Sequence, residues 1–416
     1  MGNKSRENLR VVLLALGLSA CAPGVKVEGA AGLVTVSAGS FNRRDTPVEV
    51  TFDRSPGGGP WQLSDDSGTA IPLQIRDDRH GQFILPKLKA NETRTFRIEA
   101  AHQPIGGVEV KREAGTLRVS IGGREAFVYQ GAKTPLPAGY PPQFQRGGYI
   151  FPVLTPSGRN IADDYPANHK HHHGIWSPWT KTEFEGRHPD FWNMGDKTGT
   201  VEVVDYRGEF SGPVCGGFVA HHRFVDLIAV PPKDVLNETW QVVAYRIGDR
   251  SAHPYFMFDM TITQTCATDS PLTLEKYRYG GLAFRGAPSW EGKDGCQFLT
   301  SEGKTRANGN ESRGRWCRIS GEVGGRPASI AIFDRPDDFR FPQPMRVFPD
   351  QPYFCYAPEQ LGEFQILPGK PFVEHYRFIV SDDVIDAGEL DGMWNDYAHP
   401  PSAVLKQPNQ MPGVRH

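Results

Sequence analysis

Short segments of alternating apolar and polar side chains recur along the whole chain. Between residues 25 and 103 they include 33–36, 48–52, 82–85 and 93–98, and turn-forming clusters such as 55–60 separate them. A period of two is typical of strands with one buried face. We therefore predict a small antiparallel β-sandwich over residues 22–104, with a supporting or substrate-docking role.

The same pattern continues through residues 105–398 and predicts a second, larger β domain. Strand-like runs occupy 117–121, 239–245, 255–263, 330–333 and 376–380. This length is too great for a simple sandwich and suits a large, doubled one. Only 382–397 has helical spacing, with a cap at 381–383 and a shared face of Val384, Leu390 and Trp394. We expect an all-β protein with a short C-terminal helix and a flexible tail at 399–416.

Composition narrows the class of protein. Glycine and proline together account for 81 of the 416 residues, against a usual share of about 12%, and they favour turns over helices. Aromatic residues make up 11% of the chain, enough for a sizeable core. The formal net charge is −2, so the chain lacks the basic field of a nucleic-acid-binding protein.

The first 21 residues resemble an export signal. Lys4, Arg6 and Arg10 precede a short apolar run at 11–20, which is too short to span a bilayer. The run ends in Leu-Ser-Ala-Cys at 18–21, similar to the lipobox of bacterial lipoproteins. We expect lipidation at Cys21 and a membrane-anchored protein in the periplasm or at the cell surface. An ordinary signal peptide cleaved near this point is the alternative.

Five cysteines remain after Cys21. They are scattered, without a CxxC motif, so they favour buried thiols over a zinc site. An odd number permits at most two disulfides, and the nearest pair along the chain is Cys296 and Cys317.

Candidate chemistry concentrates between residues 160 and 195, where four histidines fall within five positions. If the segment is extended, His169, His171 and His173 share one face and His172 takes the other. Such imidazoles can bind a divalent metal, for which the set is His169, His171 and His173, or act as acids and bases near neutral pH. Nearby carboxylates can orient a ring, and these are Asp163, Asp164, Asp190 and Asp196. Nearby aromatic side chains suit stacking on a sugar, and these are Trp176, Trp179, Phe191 and Trp192.

Two plainer interpretations of this segment stay open. The histidines can bind metal opportunistically without a native role. The segment can also be a solvated loop whose aromatic neighbours belong to the core, with individual histidines serving only as hydrogen-bonded structural groups.

These motifs resemble the DUF6807 family. The resemblance rests on Asn-His-Lys-His-His-His-Gly-Ile-Trp at 168–176, Asp-Phe-Trp at 190–192, Tyr-Gly-Gly-Leu-Ala-Phe-Arg at 279–285, Ile-Ala-Ile-Phe-Asp-Arg-Pro at 330–336 and Glu-His-Tyr-Arg-Phe at 374–378. The family's usual signature is Asp-His-Pro-His-His-Arg-Gly-Ile-Trp. Asn168, Lys170 and His173 depart from it, whereas His169, His171 and His172 match.

The resemblance implies a β-supersandwich similar to galactose mutarotase, in which a concave sheet gathers histidine, arginine and carboxylate groups around a sugar. A methane oxygenase label attached to this family is not carried over, because the membrane-bound oxygenase subunit has several transmembrane helices. No segment after the signal has 18 consecutive apolar residues, the minimum for one such helix.

The resulting hypothesis is an extracytoplasmic enzyme that cleaves or rearranges a glycoside or an oxidised sugar. Lyase or isomerase chemistry is favoured over hydrolysis, because no carboxylate pair stands out by its spacing. Two alternatives belong to other classes: a surface lipoprotein that binds glycans without chemistry, and a metal-binding protein. The expected catalytic residues are His169, His171, His172, Arg285, Glu275 and Glu374, and the expected substrate-binding residues are Trp176, Trp192, Asp190, His222 and Tyr279.

Overall fold

The computed structural model describes residues 32–53, 56–57, 59–101, 106–247 and 254–406. The predicted signal segment with Cys21 lies outside these residues, and so does 102–105, where the two predicted domains meet. Within the described ranges, no helix is both long and apolar enough to cross a membrane.

The N-terminal strands are built from the alternating segments. All four predicted runs between 33 and 98 are strands, and their inward residues, such as Val34, Phe83 and Phe96, form a separate core. The strand order is β2-β5-β4-β3-β6-β1-β26. The bounds are β1 Gly32–Ser37, β2 Arg43–Thr51, β3 Trp61–Ser64, β4 Ala70–Ile75, β5 His80–Leu88, β6 Thr93–Ala100 and β26 Ser402–Lys406.

Strand β26 corrects the prediction of a flexible tail beginning at residue 399. Residues 402–406 pair with β1 in antiparallel register, from Ser37 opposite Ser402 to Leu33 opposite Lys406. Their backbone groups complete the ladder of an N-terminal strand, so this part of the tail is ordered.

Two eight-stranded antiparallel sheets form the larger part of the molecule. The first has the order β22-β23-β18-β11-β10-β9-β8-β7, and the second has the order β13-β14-β15-β16-β25-β21-β20-β19. In the first sheet the bounds are β7 Val108–Glu113, β8 Thr116–Ile121, β9 Arg124–Gln130, β10 Tyr149–Val153, β11 Ile175–Trp176, β18 Ala283–Arg285, β22 Met345–Val347 and β23 Tyr353–Tyr356.

The second sheet holds the longer strands. Its bounds are β13 Gly199–Phe210, β14 Cys215–Asp226, β15 Lys233–Tyr245, β16 Tyr255–Cys266, β19 Cys296–Thr300, β20 Trp316–Val323, β21 Arg326–Phe333 and β25 Phe372–Ser381. A small third sheet, β12-β17-β24, consists of Thr182–Glu183, Leu272–Leu274 and Phe364–Ile366.

The main core lies between the two large sheets. Both sheets contribute alternate residues to it, including Phe127 and Phe284 from the first and Phe258 and Phe378 from the second. Two broad sheets over one core confirm the all-β class and the large, doubled sandwich expected from the strand periods.

The one α-helix among the described residues, α1 (Ala387–Ala398), covers the other face of the second sheet. Leu390 and Trp394 are buried there as predicted, but Val384 precedes the helix and is exposed. The helix begins five residues later than predicted, because Asp386 is the N-cap and accepts a hydrogen bond from the Glu389 N–H.

The N-terminal strands are joined to the large sandwich by polar contacts. The Arg43 guanidinium lies 3.1 Å from the Asp396 carboxylate, and both side chains are buried. The side-chain carbonyl of Gln74 accepts the N–H groups of Val214 and Cys215. Within the described ranges all five cysteines are free thiols, and Cys296 and Cys317 lie opposite Gly321 and Thr300 rather than each other.

Candidate functional site

The candidate site lies on the outer face of the first sheet, away from the main core. Adjacent residues of β11, β18 and β23 point in opposite directions, so each strand contributes to both faces. Ile175, Phe284 and Phe354 enter the main core. The outward residues of these strands are Trp176, Ala283, Arg285, Tyr353 and Cys355.

The histidine segment is a pair of turns, not the extended strand considered in the sequence analysis. The His169 N–H donates to the Pro166 carbonyl at 3.0 Å, and the His172 N–H donates to the His169 carbonyl at 2.8 Å. The Tyr165 N–H closes the loop on the His172 carbonyl. Tyr165 itself has φ 53°, a left-handed conformation that costs free energy for a non-glycine residue.

These turns overturn the expected alternation of the histidines. The His169 and His172 rings stack at 4.6 Å between centroids, and the His171 ring lies 4.8 Å from His172 and 5.9 Å from His169. His172 is buried, whereas His169 and His171 are half-buried. The three histidines that match the family signature therefore form one cluster, here called the histidine triad.

His173 leaves the triad and joins a different network. Its Nδ1 lies 2.6 Å from the Asp164 carboxylate, and its ring stacks on Tyr149 at 4.1 Å. The Tyr149 hydroxyl donates to the same carboxylate at 2.9 Å. Asp164 thus orients an imidazole, as the sequence suggested for the nearby carboxylates.

The predicted metal set is not assembled. His173 is held by Asp164, apart from His169 and His171, and within the described ranges no three His, Cys, Asp or Glu side chains are arranged to hold an ion. The three predicted ligands therefore do not fit a three-histidine metal centre.

The four imidazoles are uncharged at neutral pH. Burial lowers the pKa of His169, His172 and His173, and it lowers the pKa of His171 to about 3. The positive charge of Arg285 lowers the pKa of the triad members further. Each triad ring therefore offers one N–H donor and one lone pair.

Aromatic side chains form the floor beneath the triad. The His172 ring lies 5.1 Å from Trp176, 4.8 Å from Tyr353 and 6.0 Å from Trp192. Both predicted binding tryptophans are almost fully buried, at 0% and 1% exposure, so they support the histidines rather than present a face to a ligand. Phe348 is half-buried, with its ring 6.1 Å from His169, so part of its surface is accessible to a ligand.

Arg285 adjoins the triad but is fully occupied at its terminal nitrogens. One Nη donates to the Gln351 side-chain carbonyl at 3.2 Å, and the other donates to Asn168 Oδ1 at 3.2 Å and to the Glu291 carboxylate. The side chain is buried, and burial lowers the pKa of its guanidinium. Arg285 thus connects the histidine loop to the two loops that carry Glu291 and Gln351.

Asp190 and Tyr279 occupy the rim near Trp192. The Asp190 carboxylate accepts the N–H groups of Trp192 and Asn193 at 2.9 and 2.8 Å. The Tyr279 ring lies 5.2 Å from Trp192, and its hydroxyl is 3.3 Å from the Asn193 amide nitrogen. Asp190 therefore shapes the loop that carries Trp192, and the half-buried Tyr279 is available at the edge.

Three other predicted site residues lie elsewhere. Glu275 is partly exposed and pairs with His188 at 3.4 Å. His222 is buried between the large sheets, with its ring nitrogens 2.8 Å from the Tyr129 hydroxyl and 2.7 Å from Glu238. Glu374 is buried on β25, 3.2 Å from the Gln343 amide nitrogen, and burial raises its pKa well above the usual range.

A buried carboxyl group that sequence analysis did not single out lies behind the site. Glu359 is 1% exposed, and neither carboxyl oxygen has a hydrogen-bond partner. Burial raises its pKa to about 8. A Cβ on Gly280 would meet its Oε1, so a larger residue there would require the Glu359 carboxyl group to move.

Sequence analysis also missed Tyr149, Tyr353 and Glu291, which contact His173, His172 and Arg285. Tyr353 could have been predicted, because neighbouring residues of a strand point to opposite faces and Phe354 lies in the core. Glu291 lies in a loop without periodicity, and no local pattern indicates its contact with Arg285.

Comparisons with known proteins give limited information. No curated protein sequence matches the chain. Among solved structures, a protein in glycosyl hydrolase family 38 from Enterococcus faecalis is similar over 91% of this chain and 47% of its own, with 10% identity and a TM-score of 0.41. An alpha-mannosidase from Enterococcus faecalis V583 is similar over 91% and 46%, with 11% identity and a TM-score of 0.41.

A third solved structure, the heparan sulfate lyase HepC from Pedobacter heparinus, is similar over 70% of this chain and 38% of its own, with 9% identity and a TM-score of 0.31. The chain spans about half the length of the first two structures. By contrast, the model of the family of unknown function DUF6807 matches residues 116–395, a range that includes the histidine triad and its aromatic floor. The chain belongs to the DUF6807 family.

Proposed function

We propose that the protein is an extracytoplasmic carbohydrate-active enzyme that cleaves or rearranges a glycoside or an oxidised sugar. The observation that carries this proposal is the histidine triad, three uncharged imidazoles gathered over an aromatic floor. Half-buried His169 and His171, with Phe348 beside His169 and Tyr279 beside Trp192, offer groups that suit hydrogen bonding and stacking to a sugar ring.

The chemistry favoured by this arrangement is proton abstraction next to a carbonyl group. A lone pair of a triad imidazole accepts the proton from carbon, while another triad N–H donates a hydrogen bond to the carbonyl oxygen and stabilises the developing enolate. Where that carbon carries a hydroxyl group, return of the proton to the former carbonyl carbon, with the hydroxyl proton passing to the former carbonyl oxygen, completes an isomerisation. Departure of an oxygen substituent from the adjacent carbon, with that proton, completes an elimination.

Hydrolysis is a weaker candidate. Glycosidases of the usual type use two carboxyl groups that flank the bond to be cleaved. The carboxylates next to the triad are engaged, Asp164 with His173 and Glu291 with Arg285. Glu275 and Glu374 have partners elsewhere.

The proposed location is the periplasm or the cell surface, with a lipid anchor on Cys21. This location is supported by the order of the first 21 residues, in which basic residues are followed by an apolar run and then by small residues before Cys21.

The decisive experiment is turnover of a panel of glycosides, uronides and 3-keto-glycosides by the wild type and by His171→Asn and His172→Asn. We expect at least one class to be converted and the variants to lose about 100-fold or more in kcat, the usual contribution of a positioned acid or base. His80→Asn, a partly exposed histidine in the N-terminal strands, is the matched control and should retain activity.

Two results would contradict the proposal. No turnover across the panel would remove the catalytic claim, and binding that persists without turnover would favour a glycan-binding lipoprotein. Unchanged kcat in both triad variants would remove the assigned role of the histidines.

A further inference from the structure

The cation that adjoins the histidine triad already has partners within the protein. The positive charge of Arg285 is paired with Glu291, and its remaining Nη contacts go to the neutral side chains of Asn168 and Gln351. The guanidinium is therefore not available to a ligand carboxylate, because a new anion would have to displace an existing partner.

Two other cations are directed to groups of the protein. Arg146 is buried and donates to the backbone carbonyls of Gly147 and Gly148. The Lys170 Nζ lies over the ring of Tyr140, 4.8 Å from its centroid. The Asp164 carboxylate holds His173.

Two uncharged side chains belong to these contacts. The Oδ1 of Asn168 accepts a hydrogen bond from Arg285, and His173 contacts Asp164. An aspartate at 168 would add a negative charge beside Arg285.

The half-buried imidazoles of the triad match a hydroxylated ligand. His169 and His171 are partly accessible, and each uncharged ring offers one N–H donor and one lone pair. A hydroxyl group both donates and accepts, whereas a carboxylate only accepts.

We infer that the site selects neutral sugars, including keto sugars, over sugars that carry a carboxylate, and that Asn168 and Glu291 set this selectivity. The inference rests on the proposed function, which supplies the class of ligand, a sugar, and it adds only the charge of that ligand. Glu291 and Asn168 act through Arg285 and are positioning residues.

The test is a comparison of matched neutral and acidic ligands. Affinities of methyl glucoside and methyl glucuronide, and of methyl galactoside and methyl galacturonide, are measured by calorimetry with wild type, Glu291→Gln and Asn168→Asp. We expect the wild type to favour the neutral member by about tenfold or more, the effect of one uncompensated charge at a partly buried site. Glu291→Gln should reduce or reverse that preference, and Asn168→Asp should increase it.

A second readout does not depend on sugar binding or on turnover. Acetate is titrated while the Arg285 Nε–H resonance is followed by NMR, with the exposed Glu363→Gln as the control. Acetate should shift this resonance in Glu291→Gln but not in the wild type or the control.

The outcomes separate the two claims. Tighter binding of the acidic sugars by the wild type, or an acetate shift in the wild type, would overturn the selectivity inference even if the enzyme is active. If no sugar is turned over but acetate gives the expected response, the enzymatic proposal fails and the selectivity inference stands.

Discussion

Replacing the buried Glu359 by glutamine should make the protein more stable, increasingly so as the pH rises. Glu359 is 1% exposed, and its carboxyl oxygens have no hydrogen-bond partners. Burial raises its pKa from 4.5 to about 8. Glutamine has nearly the same shape and stays neutral at every pH.

The sign follows from proton linkage. The folded state holds the proton more tightly than the unfolded state, so the stabilisation by the protonated form is complete below pH 4.5 and is lost as the pH rises through 8. One pKa unit corresponds to about 1.4 kcal/mol, so the loss is about 3 kcal/mol at pH 7 and about 5 kcal/mol at pH 9. Below pH 4.5 the variant and the wild type should have similar free energies of unfolding.

Urea unfolding of wild type and Glu359→Gln at pH 5 and pH 9 measures this difference. The pKa of Glu374 is raised by burial and also by the charge of Glu359, so removal of that charge adds to the variant's advantage at high pH. We expect the variant's advantage to grow by about 4 kcal/mol between the two pH values. Glu363→Gln, at an exposed position close by, should show no such growth. An advantage of the same size at both pH values would refute the reasoning.

Three further predictions test separate features of the protein. Asp164→Asn should cost about 1–3 kcal/mol in the free energy of unfolding, because a partner of His173 and of Tyr149 is weakened; an unchanged Tm would contradict the assignment. Trp176→Ala should cost about 3–5 kcal/mol through the cavity left under the triad, also measured by urea unfolding; Trp176→Phe should cost less, and equal losses would argue against packing. Cys21→Ser should move the protein from the detergent phase to the aqueous phase in a Triton partition, and retention in the detergent phase would contradict lipidation.

The fold was largely predictable because strand periods are local. Segments such as 33–36 and 255–263 alternate apolar and polar residues, and each became a strand with its apolar side in a core. The order of strands was not predictable, since β18 lies between β11 and β23, far from both along the chain. Strand β26 was missed because its partner is at the opposite end of the sequence.

The sequence predicts which segment forms the site but not how the side chains of that segment are arranged. The density of histidines indicated His169, His171 and His172, yet the hydrogen bonds of two turns replaced the alternation of an extended strand and separated His173 from them. Glu374 and His222 occupy strands as expected, but whether a strand residue faces the cleft or the inter-sheet core depends on the other sheet. Arg285 was found for its charge, and its partners Glu291 and Gln351 come from loops that carry no pattern.

The pairing of β1 with β26 has a consequence for biosynthesis. Translation produces β1 early, but the ladder that covers its edge is completed only when residues 402–406 have been made. Until then β1 presents unpaired backbone groups, the kind of edge that pairs with other chains. A chain truncated before residue 402 would keep this edge of β1 unpaired after release and would be more prone to pair with other chains.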